Sequence, residues 1–200
     1  MIEILVLYYS RHGSTEALAR EICQGVDSVK GVSAKLRTVP RISAVCESTE
    51  DEIPKSGPAY IDKKDLNECS GLILGSPTHF GNMSAELKYF FDSTSNEWLN
   101  NTLSGKPAGL FTSSQSQHGG QETTLLTMAI PLIHHGMLIT GIPYSTKELS
   151  TTTGGGSPYG PSHVSSGDSK NGLTDDEIVI ARTLGKRIAS IALKLNPNQS

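Results

Sequence analysis

The stretch that decides the fold is IEILVLYYSRHGST, residues 2–15. Residues 2–9 form a nearly continuous apolar, β-branched and aromatic run, the pattern of a parallel strand buried on both faces. Residues 10–15 break it and the period then changes. Leu18, Ala19, Ile22, Cys23 and Val26 recur at helical spacing, while Glu16, Arg20 and Glu21 take the opposite face. The segment reads as strand, tight loop, helix.

Working outward, the same alternation returns. Residues 32–39 read as a second strand, ended by Pro40. Residues 41–67 carry an acidic run at 47–52 and the breakers Pro54, Gly57 and Pro58, so they read as a long surface connection with at most one weak helix. Residues 71–75 form a short third strand and 76–82 a loop. A helix follows, with Leu87, Phe90 and Phe91 on one stripe. A fourth strand at 108–112 leads into a polar loop at 113–120, and then into a helix at 121–135 with Leu125, Ala129, Leu132 and Ile133 inward. Residues 137–142 read as the fifth strand. The Gly/Ser/Thr/Pro-rich residues 150–172 are too long for a turn and read as a functional or interfacial loop. Thr174 and Glu177 form a capping box that opens a last helix. Its apolar stripe reads Ile178, Ala181, Leu184, Ile188, Ile191 and Leu195.

These elements predict one domain over residues 1–200, with a loop insertion at about 150–172. Its fold class is α/β: a five-stranded parallel sheet of order 2-1-3-4-5 covered by helices on both faces. In such sheets a ligand binds beyond the carboxyl ends of the strands. The loops after strands one, three and four are therefore the places to look.

The chain is 36% hydrophobic and 18% charged with a formal net charge of -3. That balance argues against disorder and against a basic nucleic-acid surface, and leaves small molecules or further copies of the chain as partners. Cys23, Cys46 and Cys69 are odd in number and widely spaced, which fits neither a disulfide framework nor a zinc pattern. The apolar run near Met1 is too short to span a bilayer and lacks a basic leader. A cytoplasmic protein with no membrane insertion is expected. Three histidines are scattered over separate loops with no acidic partner at ligand spacing, so no catalytic metal is expected either.

The first loop, with Ser10, Gly13, Ser14 and Thr15 directly before a helix, suits a phosphate: N–H groups converge and the helix dipole favours an anion. Ser14 acting only as a helix cap is the competing reading. No Lys follows the Gly and the Gly-x-Gly-x-x-Gly spacing is absent, so a mononucleotide is favoured. The second loop, Pro77, Thr78, His79, Phe80, Gly81, Asn82 and Met83, offers a flat apolar side chain beside polar groups, as a ring with amide edges would require. Phe80 as a mere core anchor is the alternative. The third loop, Ser113, Ser114, Gln115, Ser116, Gln117, His118, Gly119 and Gly120, presents many donors.

Taken in order, YYSRHGST, GSPTHFGNM, HGGQET, HHGM and GGGSPYG resemble the WrbA family of flavodoxin-like NAD(P)H:quinone oxidoreductases. The resemblance covers nearly the whole chain. It implies a non-covalent FMN, NAD(P)H as electron donor, a quinone as acceptor, two-electron ping-pong hydride transfer and a homotetramer. By the same resemblance Ser10, Arg11, His12, Gly13, Ser14 and Thr15 would hold the FMN phosphate. Thr78, His79 and Phe80 would flank the ring, with Pro77, Gly81 and Thr112 beside them. Ser113, Ser114, Gln115, Ser116, Gln117 and His118 would meet the ribityl chain and ring edge, and His134 would reach the flavin across a subunit contact. His12 takes the position of nicotinamide contact and Trp98 that of the electron acceptor. No covalent catalytic residue is implied; His79 and His134 are candidates for the proton donor. The chain departs from the family pattern at His12, where a Tyr is usual, at His79, where an Arg is, and in a third loop poorer in Gly. His134 with His135 could instead be a helix-end cap, and Trp98 an ordinary interface aromatic. The rival functions are a one-electron flavodoxin carrier and a flavin-binding sensor.

Overall fold

The structure is a computed structural model that describes residues 2–42, 54, 57–165 and 172–196. Cys46, the acidic run at 47–52 and residues 166–171 of the long segment lie outside the described residues. Parallel strands β1 (Ile2–Tyr8), β2 (Val32–Thr38), β3 (Gly71–Pro77), β4 (Pro107–Ser114) and β5 (Leu138–Ile139) lie in the order β2-β1-β3-β4-β5, as expected. The order reverses at β1 and β3, whose carboxyl ends meet at the Tyr8 and Gly75 register. Burial explains the composition of the central strands: Ile4, Leu5, Val6 and Leu7 of β1 and Leu72, Ile73 and Leu74 of β3 are fully enclosed.

One face is covered by α1 (Ser14–Asp27) and α7 (Asp175–Leu195), the other by α3 (Ala85–Asp92) and α5 (Gln121–His134). Helices α1 and α7 approach to backbone contact, because Gly25 faces Arg182 and Gly185 faces Ile22 with no room for a Cβ at either position. This crossing rotates the buried stripe of α7 away from the expected one. Ile180, Ala181, Leu184, Ile188, Ala189 and Ala192 are buried, whereas Ile178 and Ile191 are half-buried and Leu195 is exposed. Small residues mark the true face, since close helix packing selects for size before hydrophobicity.

Helix α5 corrects a second expectation. Leu125, Ala129 and Leu132 face inward, but Met128 takes the place given to Ile133, which is 58% exposed. Leu126, Ile130 and Ile133 form a second apolar stripe facing outward, so helical periodicity alone could not choose between the faces.

Two short helices, α2 (Lys63–Glu68) and α4 (Ser95–Leu99), fill connections. The first is the weak helix expected in 41–67, opened by a capping box in which Asp62 accepts from Lys64 N and Asp65 Oδ2 accepts from Asp62 N.

The segment at 150–172 differs from the expected open loop. It follows α6 (Glu148–Thr151) and returns to the sheet as a sixth strand, β6 (Ser162–Val164), parallel to β4. Strand β5 pairs with Pro107 and Ala108 at the start of β4, and β6 pairs with Thr112, Ser113 and Ser114 at its end. The fifth strand, read as 137–142, therefore narrows to two residues, and the returning chain covers the rest of that edge. Thr112 N donates to Pro161 O at 3.0 Å and Ile142 N to Pro158 O at 2.9 Å. A buried pair locks the segment down: Glu177 accepts from His163 Nδ1 at 3.0 Å, from Gly155 N at 2.9 Å and from Thr174 N at 2.9 Å. Burial pushes the Glu177 carboxyl up, but these three donors outweigh it and hold the group below the ordinary carboxylate range.

Candidate flavin site and its loops

The first loop leaves β1 and reaches α1 through Gly13, whose φ of 93° lies in the left-handed region that glycine tolerates best. Gly13 is the N-cap and no side chain caps the helix, so Ser14 is not the cap considered above. The first intrahelical bond runs from Ala17 N to Gly13 O. The N–H groups of Ser14, Thr15 and Glu16 precede it and point out of the helix end, an arrangement that binds an anion. Ser10 Oγ accepts from Gly13 N at 3.0 Å and thereby shapes the loop. Thr15 is buried, and its hydroxyl lies 2.8 Å from Ser113 Oγ at the end of β4. Arg11, His12 and Gly13 are exposed.

The second loop is a tight hairpin. His79 and Asn82 exchange backbone hydrogen bonds of 2.9 and 3.0 Å across Phe80 and Gly81, both left-handed at φ 54° and 74°. Two central residues with positive φ make a type I′ turn. A phenylalanine in that conformation is strained, and here its ring is also fully exposed. Phe80 is thus not a core anchor. Its scaffold is rigid: Thr78 N donates to Ser113 O, Thr127 Oγ1 donates to Gly81 O, and Ser84 N donates to Ser76 Oγ. The hydroxyls of Thr112, Thr78 and Thr124 form a chain of contacts at 3.3 and 3.2 Å.

At the third site loop, β4 runs two residues further than expected, so Ser113 and Ser114 are buried strand residues and the exposed loop is Gln115, Ser116, Gln117 and His118. Ser114 Oγ donates to Ser116 O and accepts from Gln121 Nε2, while Gln121 Oε1 accepts from Ser162 Oγ at 2.7 Å. Gln117 Nε2 donates to Gly154 O. The returning segment therefore braces this loop, through Gln121 and Ser162, which reading the sequence did not single out. Thr124 and Thr127 were also missed; hydroxyls on the first turns of an otherwise apolar helix were the available signal.

Trp98 and His134 lie elsewhere. Trp98 Nε1 donates to His134 O at 2.9 Å, at the far end of α5 from the third loop. A 14-residue helix spans roughly 20 Å, so these two side chains do not reach the first loop of their own chain. They border a cleft of about 620 Å³ with Met83, Phe91, Ile130 and His135. His135 is buried against Thr94, and burial lowers its affinity for a proton despite the opposing influence of Glu97.

Three loops converge at the carboxyl end of a doubly wound sheet, with an uncapped helix start, a projecting aromatic ring and a donor-rich edge. The residues present fit FMN: the open α1 terminus would take a phosphate monoester, and Phe80 would pack against a flat ring. Fold and loops together define a flavodoxin-like α/β protein.

The family model described as NADPH-dependent FMN reductase matches residues 2–148. Among curated relatives, the chain is 40% identical to an NAD(P)H dehydrogenase (quinone) of Chromohalobacter salexigens, over 98% of this chain and 99% of the relative. It is 36% identical to the protein of that name from Solidesulfovibrio magneticus, over 97% and 99%. A solved flavodoxin, WrbA-like protein from Agrobacterium tumefaciens superposes with a TM-score of 0.69 at 22% identity, covering 97% of this chain and 99% of that one. A flavodoxin from the domain Archaea gives 0.61 at 19%, covering 96% and 99%. The chain belongs to the WrbA family of flavodoxin-like NAD(P)H:quinone oxidoreductases.

Proposed function

We propose that this chain is an FMN-dependent NAD(P)H:quinone oxidoreductase that transfers electrons in pairs by a ping-pong cycle. The observation that carries the reading is the pairing of an uncapped α1 terminus at Gly13 with a strained, fully exposed Phe80 across the same sheet end. FMN, when bound, supplies the two-electron redox chemistry. The chain's residues bind and orient it. Ser14 and Thr15 N–H groups hold the phosphate, Phe80 packs on the ring, and the loop from Gln115 to His118 meets the ribityl chain and ring edge. NAD(P)H and quinone use one exposed surface in turn. His79, and His134 of a neighbouring copy, are the candidates for giving a proton to the product quinone.

The outward stripe of Leu126, Ile130 and Ile133, with Trp98 exposed beside it, supports a homotetramer in which His134 and Trp98 of one copy serve the flavin of another. A long apolar stripe on the surface calls for a partner. Gly155, Ser157, Gly160 and His163 are buried within one chain, so these residues of the long segment need no partner to cover them. Among the described residues no helix is long and apolar enough to cross a membrane. The cytoplasm is the proposed location, in keeping with free Cys23 and Cys69.

The test is kinetic. Purified protein should carry releasable FMN, and anaerobic NAD(P)H should bleach the flavin band. One equivalent of benzoquinone per flavin should restore it, and steady-state lines at several quinone concentrations should be parallel. Absence of bleaching by either nicotinamide, with electrons accepted only one at a time, would assign the chain to the carriers instead.

A further inference from the structure

We infer that the buried pair of His163 and Glu177 positions the phosphate loop, acting through Ser113 and Thr15, and so governs the preference of the site for FMN over riboflavin. This inference rests on the flavin-binding reading above. Its basis is the two-faced placement of β6. Ser162 lies opposite Thr112, His163 opposite Ser113 and Val164 opposite Ser114. Side chains in register on neighbouring strands stand about 5 Å apart on one face of the sheet, and successive residues alternate faces.

On the face covered by α1 and α7, His163 and Ser113 are neighbours and both are buried. Ser113 Oγ meets Thr15 Oγ1 at 2.8 Å, and Thr15 belongs to the first turn of α1, whose N–H groups form the anion cradle. On its other side His163 Nδ1 donates to Glu177 at 3.0 Å. Glu177 does not move with β6, because the capping box with Thr174 ties it to the start of α7. Helix α7 in turn packs against α1 at backbone contact through Gly25 and Gly185. The links close a ring: α1, Thr15, Ser113, His163, Glu177, α7 and back to α1. Ser162 and His163 are polar, so hydrogen bonds rather than apolar contacts fix β6 in that ring. Without the His163 link, Ser113 and Thr15 lose the support behind them.

The opposite face serves a different loop. Ser162 Oγ donates to Gln121 Oε1 at 2.7 Å, and Gln121 Nε2 donates to Ser114 Oγ at 2.7 Å. Ser114 Oγ donates to Ser116 O in the third loop. That loop is assigned to the ribityl chain and ring edge, which FMN and riboflavin share, whereas only FMN presents a phosphate to the first loop. The two faces of β6 therefore differ in the part of the ligand they support.

The experiment titrates the flavin-free full chain with FMN and with riboflavin, followed by flavin fluorescence. His163→Leu should weaken FMN binding about 10-fold or more and riboflavin binding by less than about threefold. His163→Asn, whose amide N–H can stand in for Nδ1–H toward Glu177, should bring FMN affinity back to within about threefold of wild type. Gln121→Leu should weaken both flavins alike. Unchanged FMN affinity in His163→Leu, an equal loss for both flavins there, or no rescue by Asn would overturn the proposal. His163→Leu leaves a carboxylate buried without its partner, so His163→Leu/Glu177→Gln, which removes that charge, repeats the titration. Hydrogen exchange on the wild type needs no variant. FMN should slow exchange of the Gly155 amide, which donates to Glu177, and of the β6 amides more than riboflavin does, because coupling between two sites is reciprocal. Equal protection by the two flavins would overturn the proposal. A wild type that binds neither flavin would refute the flavin reading itself, whereas a preference for FMN that survives intact in His163→Leu would refute this inference alone.

Discussion

Thr15 Oγ1 and Ser113 Oγ stand 2.8 Å apart in a buried contact that joins the first site loop to the end of β4, across 98 residues of chain. One hydroxyl must donate to the other, so the phosphate loop and the third loop hold each other in register. Replacing Thr15 with Val keeps the shape, leaves Ser113 without its partner, and should cost about 1–2 kcal/mol of stability. FMN affinity should fall with it, because two loops of the site lose their common anchor, while Thr15→Ser should retain both. Chemical denaturation and fluorescence titration with FMN measure the two effects; unchanged affinity in Thr15→Val would show that the loops are positioned independently.

The cradle itself is tested at Gly13. A Cβ there meets no neighbouring atom, yet φ of 93° strains any other residue, so the effect of substitution is conformational. Gly13→Val should turn the N–H groups of the first turn away from their common point. FMN binding should weaken by ~10-fold or more, and binding of riboflavin, which has no phosphate, much less. Equal losses for the two ligands would remove this loop from the phosphate site.

Both outcomes bear on how much was legible in the sequence. The central strands announced themselves because burial on both faces demands unbroken apolar runs, and IEILVLYY and GLILG are such runs. The three loops were legible because strand ends and helix starts locate them. Strand β6 was not, because Ser162, His163 and Val164 carry no apolar run; they form a strand only because β5 leaves the end of β4 unpaired. The face of α7 was misread for a related reason. Gly25 and Gly185 decide how α1 and α7 cross, and a hydrophobicity pattern assigns them no weight. At the site, the strain at Phe80 is invisible in sequence, where an aromatic beside Gly reads equally well as core.

The buried pair of His163 and Glu177 gives a pH prediction. The Glu177 carboxyl is held below its ordinary range in the folded chain, so its contribution to stability is complete above the ordinary glutamate value. That contribution is lost as pH falls through the depressed folded value. Glu177→Gln should destabilise the protein by about 1–3 kcal/mol near neutral pH and flatten the acid limb of its stability curve. Urea denaturation between neutral pH and the acid limit measures both. An acid limb as steep as that of wild type would mean that other carboxylates carry it.

Phe80 offers a test of strain against function. Replacing it with Gly relieves a left-handed non-glycine position and removes an exposed ring, so Phe80→Gly should raise stability of the FMN-free protein by roughly 1 kcal/mol. The same change should lower affinity for FMN, since the ring that packs on the flavin is gone. Thermal melts with and without FMN separate the two signs. A variant less stable without ligand would place the ring in an intrachain contact rather than over a cofactor.

The last prediction concerns the hydrogen bond from Trp98 Nε1 to His134 O and the apolar stripe beside it. These residues lie roughly a helix length from the phosphate loop of their own chain, so a role at the flavin requires a second copy to bring them there. Light scattering of the FMN-loaded protein should give about four times the 21.3 kDa chain mass. Ile130→Asp places a charge on a side chain already 55% exposed, so it should leave the melting temperature of the FMN-free chain nearly unchanged if that form is monomeric. In the assembly the same charge would be buried without a partner, and the variant should dissociate at micromolar concentration. Quinone turnover should fall with dissociation while stoichiometric FMN remains bound, because the phosphate loop, Phe80 and the third loop all belong to one chain. A wild-type monomer that turns over quinone at full rate would end the shared role of Trp98 and His134. In that case the 620 Å³ cleft they border would be a surface feature unconnected with catalysis.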